Sequence, residues 1–88
     1  MVNVKKRDGR IEDYVESKIV NGVKKAGATA EEAAHVAEEV LEKVGHRTEV
    51  AAEELSRMVV TSLRKVNKKA SEEFIKFRYN KLKAKKKK

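Results

Sequence analysis

Val2-Asn3-Val4-Lys5-Lys6-Arg7-Asp8-Gly9-Arg10-Ile11-Glu12-Asp13-Tyr14 is the stretch on which the fold reading turns. Val2 and Val4 alternate with polar neighbours, and Ile11 and Tyr14 lie in the segment that can return beside them. Asp8-Gly9 between the two runs is a strong signal for a two-residue type I′ hairpin turn. A loop of those two residues sets Arg7 opposite Arg10, Lys6 opposite Ile11 and Lys5 opposite Glu12. Side chains alternate with period two, so Lys6 then shares the core-facing side with Val2, Val4 and Ile11. A lysine there either snorkels to the edge on its apolar stem or meets an anion held beneath the hairpin.

Outward from the hairpin the chain reads as helical. The segment 16–26 carries Ile19, Val20, Val23 and Ala26 on one stripe, with Gly27 as the left-handed residue that closes it. Gly22 within it costs about 1 kcal/mol relative to alanine, which points to close backbone packing there. Thr29-Ala30-Glu31-Glu32 fits a capping box. It opens a helix carrying Ala33, Ala37, Val40, Leu41 and Val44 and ending at Gly45. His46-Arg47-Thr48-Glu49-Val50 suits a brief third strand. A helix over about 52–66 follows, presenting Leu55, Met58, Val59, Ser62, Leu63 and Val66. Ser71-Glu72-Glu73 then opens a fourth, with Ala70 near its first turn. Phe74, Phe77 and Leu82 share one side of it, with Ile75 and Tyr79 nearby. The expected fold is α+β: a small antiparallel sheet, made of the hairpin plus a short third strand, packed on a four-helix bundle.

Composition narrows the function. Eighty-eight residues make one small domain, burying about 60–65% of the surface its unfolded form exposes. Apolar residues are 40% and charged ones 41%, with mean hydropathy −0.70, so no stretch approaches the ~20 apolar residues of a membrane span. Absence of cysteine excludes disulfides, thiol nucleophiles and cysteine-based zinc or iron–sulfur sites. The amino terminus lacks the long apolar stretch of a secretory signal, and the expected location is cytoplasmic. Lys+Arg 22 against Asp+Glu 14 gives +8, but residues 81–88 hold six of the cations, leaving residues 1–80 at +2. The domain is therefore placed at 1–82 and residues 83–88 form a basic tail, expected to be disordered. That tail is either a solvated charge run or a weak, salt-sensitive attachment to nucleic acid.

Catalytic constellations are sparse. His35 and His46 stand at no metal-ligand spacing, and Glu31, Glu32, Glu53, Glu54, Glu72 and Glu73 lie in expected first helical turns, where they complement the dipole. There is no Ser-His-Asp arrangement and no phosphate-binding glycine loop, so the expectation is a protein that is not an enzyme. The strongest positive feature is Lys5-Lys6-Arg7-Asp8-Gly9-Arg10 with Glu12 and Lys18. Cations around a tight turn, with a lysine at the next helix start, suit a polyphosphate. Glu12 and Asp13 add acceptors of the kind a ribose hydroxyl or an adenine amino group needs. A charged hairpin surface accounts for the same residues.

The string Val4-Lys5-Lys6-Arg7-Asp8-Gly9-Arg10-Ile11-Glu12-Asp13-Tyr14, followed by Lys18-Ile19, resembles the opening signature of the ATP-cone domain. The likeness runs on through Lys24-Lys25-Ala26, Val50, Glu54-Leu55, Val59, Leu63, Phe74 and Arg78, over about residues 2–82. ATP-cones are known as regulatory domains of ribonucleotide reductases and of the repressor of their genes, where they bind ATP or dATP. The resemblance implies that Lys6 and Arg7 meet phosphate, Glu12 sits near the nucleoside, and Lys18 closes on the phosphates. It further implies that Val4 lines the base pocket and that Leu55 and Ser56 face the site. Val15 and Ser56 depart from the family pattern, which often has a polar residue at the first and in some members histidine at the second. A basic residue from the last helix corresponds to Lys81 or Lys83.

The reading is thus a free-standing nucleotide-binding regulator. Its expected ligand is ATP or dATP, with or without Mg²⁺. It would act through a partner, such as a reductase subunit or DNA, with nucleotide-dependent self-association. The alternative is a small basic nucleic-acid-binding protein relying on the lysine tail with Arg57, Arg64, Lys65, Lys68 and Lys69.

Overall fold

A computed structural model describes the backbone of residues 2–86 and the side chains of residues 2–77. The elements run β1 (Asn3–Lys5), β2 (Ile11–Asp13), α1 (Glu16–Lys25), α2 (Ala30–Val44), β3 (Glu49–Ala51), α3 (Ala52–Val66) and α4 (Lys68–Lys86). The α+β architecture is as expected: a three-stranded sheet covers one end of four helices. Side chains of Tyr79, Lys81, Leu82 and Lys83, and the last two residues of the basic tail, lie outside the described residues. Among the described residues, no helix is long and apolar enough to cross a membrane.

The sheet departs from expectation in two ways. First, the hairpin loop has three residues. Lys6 N–H donates to the Arg10 carbonyl at 2.8 Å, and Gly9 N–H donates to the Lys6 carbonyl at 3.0 Å. Gly9 alone takes the left-handed conformation, at φ 93°, and no described residue other than glycine has positive φ. A type I′ turn would demand that conformation of Asp8 as well. The longer loop, a type I turn closed by a left-handed glycine, avoids the demand. Asp8 instead uses its carboxylate to accept from Arg10 N–H at 3.1 Å and Arg10 Nε at 2.8 Å.

The extra loop residue shifts the register by one: Val4 pairs with Glu12 and Lys5 with Ile11. Ile11 therefore faces outward, 57% exposed, and Glu12 takes the inward position expected for Ile11. Lys6 stays on the inward side, because its phase with Val2 and Val4 lies within one strand. Second, the sheet is mixed, not antiparallel throughout. β3 starts later than expected and runs parallel to β1, Val4 beside Val50, giving the order β2-β1-β3. The α1–α2 pair carries the chain back to enter the sheet at the same end as β1, and β3 passes directly into α3.

Local signals hold well in the helices. Gly27, at φ 114°, ends α1, with Gly27 N–H donating to the Lys24 carbonyl and Ala28 N–H to the Val23 carbonyl. Gly22 faces the Phe74 ring at ordinary contact distance, 3.6 Å from where a Cβ would stand. The Thr29/Glu32 capping box is complete. Val36 joins Ala33, Ala37, Val40 and Val44 in the core, whereas Leu41 is 40% exposed. At 100° per residue Leu41 lies about 80° from Ala33, beyond the centre of the buried stripe. Phe77 is likewise 47% exposed, not packed beside Phe74. The fourth helix starts at Lys68, not Ser71. Asn67 caps it by accepting from Ala70 N–H at 2.9 Å, while its amide donates to Glu32 at 2.9 Å.

Three carboxyls are held below their ordinary value of 4.5. Glu32 is lowered by Asn67 and Thr29, Glu39 by Ser62 and Lys65, and Glu54 by Arg47. Ser62 Oγ and Glu39 Oε1 lack well-formed hydrogen bonds. Their proximity still favours the carboxylate, with Lys65 Nζ 3.1 Å from Glu39 Oε2. Arg47 grips Glu54 through two bonds of 2.9 and 3.2 Å. A depressed folded-state pKa contributes stability above the unfolded value and loses it as pH falls through the folded one. The thermal midpoint is expected to stay level from pH 7 to about 5.5 and to fall below about 4.5. Thermal melts across that range check this, and a midpoint that rises on acidification contradicts it.

Candidate functional site

Register decides what lies beneath the hairpin. Val4, Lys6, Glu12 and Tyr14 all project toward the helices, over the starts of α1 and α3. Together with Asp13, Val15, Lys18, Ile19, Ala52, Leu55, Ser56, Val59 and Phe74 they line a half-open cleft of about 160 Å³. Val4, Ile19 and Val59 are buried and form its base, and Phe74 from α4 packs against the same core. Lys6, Glu12 and Lys18 keep part of their side chains in solvent, at 37%, 33% and 69%, and so stand at the mouth. The result is an apolar slot with charged groups at its opening, the usual design of a small-molecule site.

Two helices begin at this cleft without a side-chain cap. Val15 precedes α1 and Ala51 precedes α3, and neither side chain can accept a hydrogen bond. α2 and α4, which start elsewhere, are capped by Thr29 and Asn67. The starts of α1 and α3 thus bring positive dipole ends toward the cleft, next to Lys6 and Lys18.

At the mouth, Glu12 is surrounded by cations. Its Oε1 lies 3.7 Å from Lys6 Nζ and 3.6 Å from Lys18 Nζ, and its Oε2 lies 3.9 Å from Arg10 Nη1. Lys6 follows β1, Arg10 precedes β2 and Lys18 lies in α1, so the carboxylate ties three segments together. All the groups are at least one-third exposed, which limits what the pairing adds to stability. Tyr14 sits deeper. Its hydroxyl is buried with no partner among the described residues, and burial, then Glu16, raises its pKa.

Of the residues singled out from sequence, Val4, Lys6, Glu12, Lys18, Leu55 and Ser56 meet around this one cleft. Arg7 does not join them. Its Nε pairs with Glu53 in the first turn of α3 at 3.0 Å, outside the lining. The sequence reading did not assign Tyr14, Ala52, Val59 or Phe74 to the site. Their signal was the apolar periodicity that marked most of them as core, and the cleft base is made of core residues.

No match emerges among curated proteins. The family model for the ATP cone domain matches residues 2–83, nearly the whole chain. Domains of this family bind ATP or dATP and serve as nucleotide-sensing regulators. With the mixed sheet capping four helices and the signature residues gathered beneath the hairpin, the chain belongs to the ATP-cone domain family.

Proposed function

We propose that the chain binds ATP or dATP in this cleft, without hydrolysing it, and signals the bound state to a partner. The observation that carries the reading is the meeting of Lys6 and Lys18 at the mouth of an apolar cleft, in a member of a nucleotide-binding family. The cleft is smaller than the roughly 300–1,000 Å³ of sites that engulf drug-sized ligands. The nucleoside end would fill it beside Val4, Leu55 and Ser56, leaving the phosphates across the lysines. Phosphate contacts of this kind are charge-assisted and stronger than neutral hydrogen bonds. Among the described residues no group of three or more His, Cys, Asp or Glu side chains could hold a metal ion.

Regulation follows where ATP and dATP stabilise two states unequally, since equal affinities shift no equilibrium. In this reading the states differ in self-association, and the partner is a reductase subunit or DNA in the cytoplasm. Isothermal titration of the full chain with ATP and with dATP, each with and without Mg²⁺, tests the binding. Micromolar affinity is the expected result. Absence of heat or competition with either nucleotide at millimolar concentration would remove the reading.

A further inference from the structure

Glu12 occupies the place where an anionic ligand would sit. One carboxylate is within 4 Å of Lys6, Lys18 and Arg10, including the two lysines best placed for phosphate. It reached that position through the hairpin register, which set it inward beside Val4. We propose that Glu12 is an internal counter-anion that selects nucleoside polyphosphates against bare inorganic polyphosphate. The proposal rests on the nucleotide reading of the cleft.

The argument is one of partners gained and lost. A polyphosphate entering the mouth takes Lys6 and Lys18 for itself and leaves Glu12 facing a second anion. Like charges at such range repel, and a carboxylate left with Arg10 alone gains from new hydrogen-bond donors. Inorganic polyphosphate has no sugar hydroxyl or amino group to offer, only the residual proton of a terminal phosphate. A nucleoside polyphosphate carries sugar hydroxyls and, on adenine, an amino group, each able to donate to a carboxylate oxygen. Glu12 thus penalises both ligands electrostatically and is re-partnered by one class of them. Its selectivity is built against the wrong ligand as well as for the right one.

Replacing the charge with an uncharged group removes the penalty. Glu12→Gln is expected to bind inorganic tripolyphosphate about tenfold more tightly than the native chain, with screening by solvent setting that modest size. Affinity for ATP should change less, because the lost repulsion is offset by an amide oxygen that accepts more weakly than a carboxylate, so the preference for ATP over tripolyphosphate narrows. Glu12→Ala should show the same gain for tripolyphosphate, and Lys18→Ala added to Glu12→Gln should cancel it. Titrations of full-length variants at one fixed low salt concentration, with circular dichroism to establish folding, read these outcomes. Tripolyphosphate affinity equal to or below native in both neutral variants overturns the proposal. A gain that survives Lys18→Ala does so too, since it would then arise elsewhere. Native chain that binds ATP while Glu12→Gln shows no gain defeats the counter-anion alone. Native chain that fails to bind ATP defeats the nucleotide reading, and the tripolyphosphate comparison still decides the role of Glu12.

Discussion

Lys6→Ala combined with Lys18→Ala is expected to weaken ATP binding by about a hundredfold. A hydrogen bond to a charged group contributes about 1.5–3 kcal/mol, and exposure at the cleft mouth favours the lower end. Each lysine alone should therefore cost roughly tenfold. The two side chains share Glu12 as a neighbour, at 3.7 and 3.6 Å, so their effects need not add and the double variant must be measured directly. Folding should survive, because partly exposed ion pairs contribute little to stability. Arg7→Ala provides the contrast. Arg7 pairs with Glu53 and does not line the cleft, so its loss should change ATP affinity by less than about threefold. Titration calorimetry at low salt measures the four variants against the native chain. A double variant that binds ATP within twofold of native would show that the phosphates lie elsewhere.

The largest stability effect is expected from Leu63→Ala. Leu63 is fully buried in α3 and is the largest such side chain among the described residues. Truncating a buried leucine costs about 2–5 kcal/mol, through lost transfer energy and the cavity left behind. A domain of this length has a total stability of roughly 4–13 kcal/mol, so the variant should lose a large fraction of it. Close helix contacts leave little freedom to collapse. Ser62 in α3 and Ser71 in α4 are also wholly buried. Leu41→Ala should cost less than about 1 kcal/mol, because its side chain is 40% exposed. Urea unfolding followed by circular dichroism separates the two. Equal shifts in midpoint would contradict the assignment of Leu63 to the core and Leu41 to its margin.

That pair of leucines marks a boundary in what pattern alone can reveal. Both sit in amphipathic helices, and periodicity places both near an apolar stripe. It takes the neighbouring helices to show where the stripe ends, since burial depends on what packs opposite. Phe77 errs in the same direction: it shares a side with Phe74 in sequence, yet no described element covers it.

The sequence by itself determined the α+β class, the close of α1 at Gly27, the opening of α2 at Thr29 and the span of α3. It also determined the signature residues that connect the chain to its family. Caps and helical periodicity are local, decided within a few residues, and each acts with little reference to the rest of the chain. Tertiary structure decided the rest. The hairpin register turned on the cost of a left-handed Asp8, which a three-residue loop avoids, and that single shift brought Glu12 inward and sent Ile11 out. The direction of β3 depended on the path of α1 and α2, which no three-residue strand encodes. Asn67 became a cap because its side chain meets both Ala70 and Glu32, a partner 35 positions away. The cleft itself is long-range in the same sense. Its lysines, carboxylate and apolar base come from β1, β2, α1, α3 and α4, and only packing brings them to one place.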